Sequence, residues 1–403
     1  MRIGIAGPLA TADLAHLLTT DVSGLPGEMQ GSSVLVTVME SLLDKGHEVI
    51  AYTTDPALQP RAGSHAVGHG DRLTVHYVPR RRHALRPDRG ARGRMVDLFG
   101  LERQELARAM RMDPPDILHA HWSYEFAAAA LSTGLPCLVT CHDSPLAVLR
   151  ASPDLYRLGR LAMAWRVLRR IRHATVVSPY LVDELQPWLA CHPTLVPNPM
   201  PDWIFDLADT RPRPRPDTGH FKIVMVLNGW TRIKNPEVGI RAVDAFIQET
   251  PGAELHLIGP DYGPGQVAEQ WCRTLPSHAS IHFHGSLPHR TVLERLTTMD
   301  VLLHPSVEES FGLTVAEGMS MGIPVVCGQA TGALAWMTDG GQAGMLVDVT
   351  SAGSILDALH QLHRNPHHYE ALAVRGRALA AQRFSAGAIA DQYLGAYGAI
   401  LAP

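Results

Sequence analysis

The stretch His304-Pro305-Ser306-Val307-Glu308-Glu309-Ser310-Phe311-Gly312-Leu313-Thr314-Val315-Ala316-Glu317 decides how this chain is read. The apolar run Val301–His304 reads as a buried strand, Pro305 and Ser306 turn the chain, and an amphipathic run begins near Ser310. That run stops at Gly322, placed as a helix C-cap, with Pro324 ahead of the next strand. The helix N-terminus then sits at the carboxyl edge of a sheet. Its unpaired N–H groups, expected over Ser310 to Leu313, suit a phosphate or sugar oxygens. Glu309 and Glu317 stand eight positions apart, about two helical turns, so both carboxylates can line one elongated ligand.

Outward from this stretch, short β-branched runs alternate with longer amphipathic ones, the pattern of parallel sheets covered by helices. Strands are expected at 2–6, 48–53, 117–120, 137–141, 175–178 and 194–196 in the first half. In the second half they fall at 222–227, 254–258, 280–284, 301–304 and 323–327. A helix is expected near 32–45, and another from Arg383-Phe384-Ser385 to about Ala402. Between the halves lies Asp206 to His220, with Arg211-Pro212-Arg213-Pro214-Arg215-Pro216, which reads as a stiff extended segment.

The expected organisation is therefore two domains. Residues 1–205 form the first, 206–220 the boundary, and 221–385 the second. Each half reads as a doubly wound α/β domain, and ligands of such sheets sit at the carboxyl ends of strands, at a switch point. Two such domains facing a central cleft are the expected architecture.

The chain has 403 residues, 46% of them hydrophobic and 18% charged, with a net charge of −4, which excludes a disordered polyelectrolyte. Five cysteines, odd in number and without a C-x-x-C pair, argue against a disulfide framework or a zinc site and fit a reducing compartment. No apolar run reaches the roughly 18–20 residues of a spanning helix. The expected location is cytoplasmic. Of the 35 basic residues only Lys45, Lys222 and Lys234 are lysines, so each is worth inspecting.

Glu309-Ser310-Phe311-Gly312-Leu313 with Glu317 resembles the E-x7-E motif of GT-B glycosyltransferases, closest to family four, the retaining enzymes that use sugar nucleotides. The resemblance implies that Glu309 contacts the transferred sugar and Glu317 the ribose hydroxyls. It implies donor contacts for Ser310, Phe311, Gly312 and Leu313 as well. Asn228-Gly229-Trp230-Thr231-Arg232-Ile233-Lys234-Asn235-Pro236-Glu237 forms a strand-to-helix loop, with Asn235 as N-cap and Pro236 at the first helical position. Lys234 matches the family lysine on the diphosphate. Trp230 stands where an arginine is usual, and Arg232 is the candidate to supply that charge.

In the first domain, Thr140-Cys141-His142-Asp143 is similar to the family's Thr-x-His-Asp segment, which places His142 beside the transferred sugar. His119 and His121 are read as structural, with at most one facing the cleft. Gly24-Leu25-Pro26-Gly27-Glu28-Met29-Gln30-Gly31-Ser32-Ser33 resembles the family's Gly-rich loop, so Gly31 and Ser32 are donor-binding candidates. The C-terminal helix, about 386–403, is expected to cross back and complete the first domain.

His142, Glu309 and Lys234 are thus the expected catalytic residues. Phosphate charge would be met by Lys234, Arg232, the helix end and the Gly31 loop, with no metal and no cofactor expected. The implied reaction is retaining, front-face transfer from a nucleotide diphosphate sugar, UDP favoured and GDP second, to a small-molecule, glycan or lipid-linked acceptor. The alternatives are a sugar-nucleotide epimerase or phosphorylase of the same fold, or a non-catalytic sugar-nucleotide-binding protein. Arg80-Arg81-Arg82-His83 through Arg94, and Arg157 to Arg172, are candidates for peripheral contact with an anionic membrane face. Nucleic acid is not expected as a partner.

Overall fold

The computed structural model describes residues 1–87, 89–210 and 220–402. The chain divides into two compact units, residues Met1–Pro199 with Ala386–Pro403, and residues Met200–Ser385.

The first unit is built on eight strands: β1 (Arg2–Ala6), β2 (Glu48–Asp55), β3 (Ala66–Gly70), β4 (Leu73–Pro79), β5 (Ile117–His121), β6 (Cys137–Cys141), β7 (Ala174–Val176) and β8 (Thr194–Leu195). Their order in the sheet is β3-β4-β2-β1-β5-β6-β7-β8. Every pairing is parallel except that of β3 with β4. The order reverses direction between β1 and β5, so the switch point lies at the ends of those strands. Ile3, Ile5, Val49, Ala51 and Ile117 are buried against Leu35, Met39 and Leu42 of the helix Ser33–Asp44. The helix Ala386–Leu401 adds Ile389, Tyr393 and Tyr397 to the same core, which carries the chain's last turns into this unit.

The second unit carries β9 (Phe221–Val226), β10 (Ala253–Ile258), β11 (Ile281–Gly285), β12 (Val301–His304), β13 (Val325–Gly328) and β14 (Met345–Val347). The order is β11-β10-β9-β12-β13-β14, parallel throughout. Alternate side chains Ile223, Met225, Leu255, Leu257, Val301 and Leu303 share one face and one core. The helix Pro236–Glu249 closes that face with Ile240, Val243, Phe246 and Ile247. Here the switch point lies between β9 and β12.

Two expectations change, and two elements are added. The segment expected to be extended from Asp206 is helical at its start, because the helix Asp202–Thr210 belongs to the second unit. The division between units therefore precedes the Arg/Pro run, whose residues 211–219 lie outside the described ones. The hairpin β3–β4 and the short strand β14 carry little sequence signal. Ala66–Gly70 holds two glycines, and Met345–Val347 is only three residues long.

Candidate active site

In the second unit the loops after β9 and β12 flank the switch point. Gly229 takes a left-handed φ of 90°, and Trp230 donates its backbone N–H to Asp261 at 3.0 Å. The Trp230 ring packs against Tyr262 and Trp271, with centroids 5.8 and 5.6 Å away. This residue is thus part of the wall of its loop. Asn235 stands at the N-cap position, but its side chain does not cap the helix. It adopts a left-handed φ of 49° and donates to the carbonyls of Pro305 at 3.2 Å and Val349 at 2.8 Å. The two loops are further joined by a Val307 N–H to Ile233 carbonyl bond of 2.8 Å.

These ties bring Lys234 onto Glu309. Lys234 Nζ donates to Glu309 Oε1 at 2.5 Å, and His304 Nε2 lies 3.0 Å from the same oxygen. Both side chains are mostly buried, 23% exposed for Lys234 and 14% for Glu309. Burial pushes the Glu309 carboxyl up, but the contacts with His304 and Lys234 outweigh it and hold the group at about 2. Glu309 is therefore an anion at neutral pH. A third loop supports it from behind: Ala333 N–H donates to the Glu309 carbonyl at 3.0 Å, and Thr331 Oγ1 to the Ser306 carbonyl at 3.0 Å. Gly332 fits there because a Cβ would stand 2.0 Å from the Glu309 carbonyl oxygen.

The helix expected from Ser310 starts later, at Leu313, and ends at Ser320. Gly312 is its N-cap in a left-handed conformation of φ 94°, a backbone state that stops the helix from extending toward Ser310. A Cβ at Gly312 would also meet Leu334 Cδ2 at 2.5 Å. The first intrahelical bond is Ala316 N–H to the Gly312 carbonyl, so the leftover amides are those of Leu313 to Val315 rather than of Ser310 to Leu313. Phe311 is buried against Phe384 and Trp336, at 5.4 and 6.5 Å, so its side chain is a packing group and only its backbone remains for a donor. Ser310 and Leu313 are half-buried. Glu317 is held separately from Glu309, by His289 Nε2 at 2.6 Å from its Oε1. Arg232 is exposed and makes no hydrogen bond or ion pair among the described residues.

In the first unit, His142 follows β6. Its Nε2 lies 2.9 Å from His121 Nδ1, and its ring lies 4.3 Å from that of Trp122. Burial lowers the His142 pKa to about 3, so the imidazole is neutral. His119 and His121, two apart on β5, share one face of the sheet, as strand period requires, with rings 4.1 Å apart. Alternation along the strand, the ground for expecting at most one of them at the site, is corrected accordingly, and their different partners separate them instead. His119 is fully buried between Tyr397 Oη at 2.7 Å and Thr140 Oγ1 at 2.6 Å, while His121 reaches His142. Ser32 N-caps the helix Ser33–Asp44 without a side-chain bond, its N–H donating to the Pro8 carbonyl at 3.0 Å. Gly31 is exposed on one side and packed on the other, where a Cβ would come within 2.4 Å of Ala10 N.

Sequence reasoning missed His304 and His289, the partners of the two glutamates. It also missed the Gly332 loop. Neither histidine sits in a spacing that announces its partner, and each is supplied by a turn of the fold. The first Arg-rich stretch is a second correction. Arg81 is 2% exposed and forks onto Glu102 and Asp97, Arg82 pairs with Glu28, and Arg94 donates to the carbonyls of Arg81 and Arg82. Those charges are spent inside the unit because Asp97 and Glu102 follow close behind in the chain. On the helix Leu155–Leu168, Arg157 pairs with Asp154 and Arg160 with Glu125, while Arg166 is exposed, as are Arg169, Arg170 and Arg172 beyond it. No helix among the described residues is long and apolar enough to cross a membrane.

One group of side chains among the described residues is spaced to hold a cation. Glu254, His256 and His282 have ligating atoms within 4.8 Å of one another. Glu254 pairs in register with Lys222 at the beginning of β9, so the group lies toward the amino ends of these strands, away from Lys234 and Glu309.

Each unit has a strand switch point, where ligands of such sheets sit, and the second unit adds a paired lysine and glutamate at its carboxyl edge. Comparison identifies the kind of protein. Residues 31–202 match the family model described as Glycosyltransferase Family 4, and residues 220–365 match that of Glycosyl transferases group 1. The chain belongs to this family of glycosyltransferases, and its fold is GT-B.

Among curated proteins it is similar to the N-acetyl-alpha-D-glucosaminyl L-malate synthase of Bacillus anthracis, 23% identical over 72% of this chain and 76% of that one. It is 27% identical to the 2-deoxystreptamine N-acetyl-D-glucosaminyltransferase of Streptomyces fradiae, over 74% of each. Among solved structures it superposes on the sucrose-phosphate synthase of Thermosynechococcus elongatus with a TM-score of 0.75, 18% identity and 99% of each chain covered. Anabaena HepE in complex with UDP-glucose gives 0.69 and 15%, with 99% of this chain and all of that one covered.

Proposed function

We propose that the protein is a retaining glycosyltransferase that moves a sugar from a nucleotide diphosphate donor, a UDP-sugar in the first instance, to a hydroxyl-bearing acceptor. The observation that carries this reading is the Lys234–Glu309 pair at the carboxyl edge of β9 and β12. Glu309 is an anion whose Oε1 is taken by Lys234 and His304, while Oε2 makes no hydrogen bond among the described residues. That free oxygen suits a sugar hydroxyl. Lys234 suits the departing diphosphate, whose charge grows in the transition state. Glu317, oriented by His289, is the residue assigned to the ribose hydroxyls, and the amides of Leu313 to Val315 add a positive helix end.

His142 is neutral and buried in a histidine pair, so it fits a hydrogen-bonding contact to the transferred sugar better than a cation. The leaving phosphate would help to deprotonate the acceptor in a front-face transfer. Neither a metal nor a cofactor is needed for this scheme. UDP is favoured because Anabaena HepE, of the same fold, is described with UDP-glucose. Peripheral membrane contact through the exposed Arg166, Arg169, Arg170 and Arg172 is retained as a proposal about where the acceptor lies.

The test is a donor panel of UDP-, GDP-, ADP- and dTDP-sugars scored by nucleoside diphosphate release. Release from one base class, lost in Lys234→Ala, is the expected result. An epimerase would instead convert the donor with no acceptor present, a phosphorylase would need phosphate, and a binding protein would release nothing from any pair.

A further inference from the structure

In the second unit's sheet, alternation along β10 and β11 sorts the side chains between two faces. Leu255, Leu257 and Ile281 enter the core, so Glu254, His256, His282 and His284 share the opposite face. The parallel register sets His256 directly beside His282. Three imidazoles and a carboxylate are thereby gathered at the margin of the sheet, where β11 is the terminal strand.

The distances are those of a coordination shell. Glu254 Oε2 lies 3.4 Å from His256 Nε2 and 3.6 Å from His282 Nε2. Two ligand atoms that each stand about 2.0–2.1 Å from a tetrahedral zinc are roughly 3.4 Å apart. As hydrogen bonds the same separations are long, and His282 Nε2 is buried with no hydrogen-bond partner among the described residues. A buried ring nitrogen left in that state is costly unless a ligand meets it. His256 also has the outer support typical of a metal-bound histidine, because its other nitrogen, Nδ1, lies 3.0 Å from His284 Nε2. Burial, and then the neighbouring His282 and His284, lower the His256 pKa from its ordinary value, which favours the neutral ring that binds metal. The cluster can be reached from solvent, since the His282 side chain is 42% exposed and that of Glu254 32%.

We propose that Glu254, His256 and His282 form a site for a divalent transition metal, zinc in the first instance, which clips the edge strand β11 to β10. Two imidazoles and one carboxylate suit zinc better than magnesium or calcium, which take oxygen ligands. Water completes the tetrahedron, and His284 orients His256 from outside the shell. Glu254 pairs with Lys222 at the beginning of β9, whereas Lys234 and Glu309 stand at the opposite edge of the sheet. The metal is therefore structural, and the site is independent of the transferase reading.

The test strips the full chain with EDTA, removes the chelator, titrates zinc by calorimetry and compares Tm with and without the metal. One zinc per chain is expected, with a rise in Tm because the folded state is the one that binds. Glu254→Gln and His282→Gln should each weaken the site by more than roughly tenfold, the least that losing even an outer partner costs, and should abolish the rise. His367→Gln, which alters an exposed histidine away from the cluster, should bind as the wild type does. Cobalt bound in place of zinc should give the visible absorption of a tetrahedral site in the wild type and in His367→Gln but in neither ligand variant. The two ligand substitutions lie on different strands, and circular dichroism of the stripped proteins shows which of them is folded and carries the comparison. Absence of zinc binding by the stripped wild type overturns the proposal, as does an equal loss in His367→Gln. Undiminished binding by a folded ligand variant also overturns it. Magnesium or calcium binding as tightly as zinc would overturn the assignment of the metal class.

Discussion

Lys234 and Glu309, 75 positions apart, meet at 2.5 Å because two neighbouring strand ends, β9 and β12, deliver their loops to the same edge of one sheet. Neither residue owes its position to a helix. Each is held by backbone bonds between loops, Val307 to Ile233 on one side and Ala333 to Glu309 on the other. The pair is therefore fixed before any ligand arrives, a condition for electrostatic stabilisation without reorganisation.

Removing the lysine tests that role. Lys234→Ala should lower kcat/KM with the released donor by a factor of about 10²–10³, roughly 3–4 kcal/mol, by analogy with other lost electrostatic stabilisers. The loss should fall mainly on kcat, because the diphosphate gains charge in the transition state. Steady-state rates at saturating donor, with circular dichroism to confirm folding, decide it. Activity near that of the wild type would remove Lys234 from the mechanism.

The Glu309 carboxyl makes a pH prediction with a definite sign. Its folded pKa, about 2, lies below its ordinary value of 4.5, so the stability it contributes is present above about 4.5 and lost as pH falls toward 2. At about 1.4 kcal/mol per unit, the full contribution is a few kcal/mol. The urea midpoint of the wild type should therefore drop more steeply between pH 5 and pH 3 than that of Glu309→Gln. Parallel curves would show that the carboxylate is not stabilised in the folded state.

Much of this architecture can be read before folding. The strands at 2–6, 137–141 and 301–304 coincide with observed ones, because buried parallel strands are continuous apolar runs bounded by Gly and Pro. The glutamates and the lysine were visible through their spacing and their rarity. What stayed hidden was partner choice. His304 and His289 meet Glu309 and Glu317 only through tertiary packing, and nothing in an Arg-rich loop distinguishes Arg81, which is buried on Glu102, from Arg82, which pairs with Glu28 at the surface. The left-handed Gly312 was equally hidden, since one backbone angle set the helix start three residues late.

The support behind Glu309 can be probed without touching its side chain. At Gly332, φ is 45° and a Cβ would sit 2.0 Å from the Glu309 carbonyl oxygen. Gly340 has φ of 65° with nothing within 4 Å of its added Cβ. Gly340→Ala should therefore cost only the left-handed strain, about 1–2 kcal/mol, and leave turnover intact. Gly332→Ala should cost more in thermal stability and also lower kcat, because the Glu309 loop must move. Equal effects of the two substitutions would mean that the 331–333 loop does not position Glu309.

The Arg81 network carries the last prediction. Arg81 Nη2 meets Glu102 Oε2 at 2.6 Å and Asp97 Oδ1 at 2.8 Å, with Glu102 fully buried. The pairing itself is weak evidence of stability, since desolvating the charges offsets much of their attraction. Breaking it is a different matter: Arg81→Met leaves an uncompensated buried carboxylate and should destabilise the first unit by about 3–5 kcal/mol. Removing the second charge as well, in Arg81→Met with Glu102→Met, should recover part of that loss, because an apolar pair replaces a desolvated one. Urea unfolding of the two variants measures the difference. A single substitution costing less than about 1 kcal/mol, the value of a solvated surface pair, would show that the network is open to water rather than part of the core.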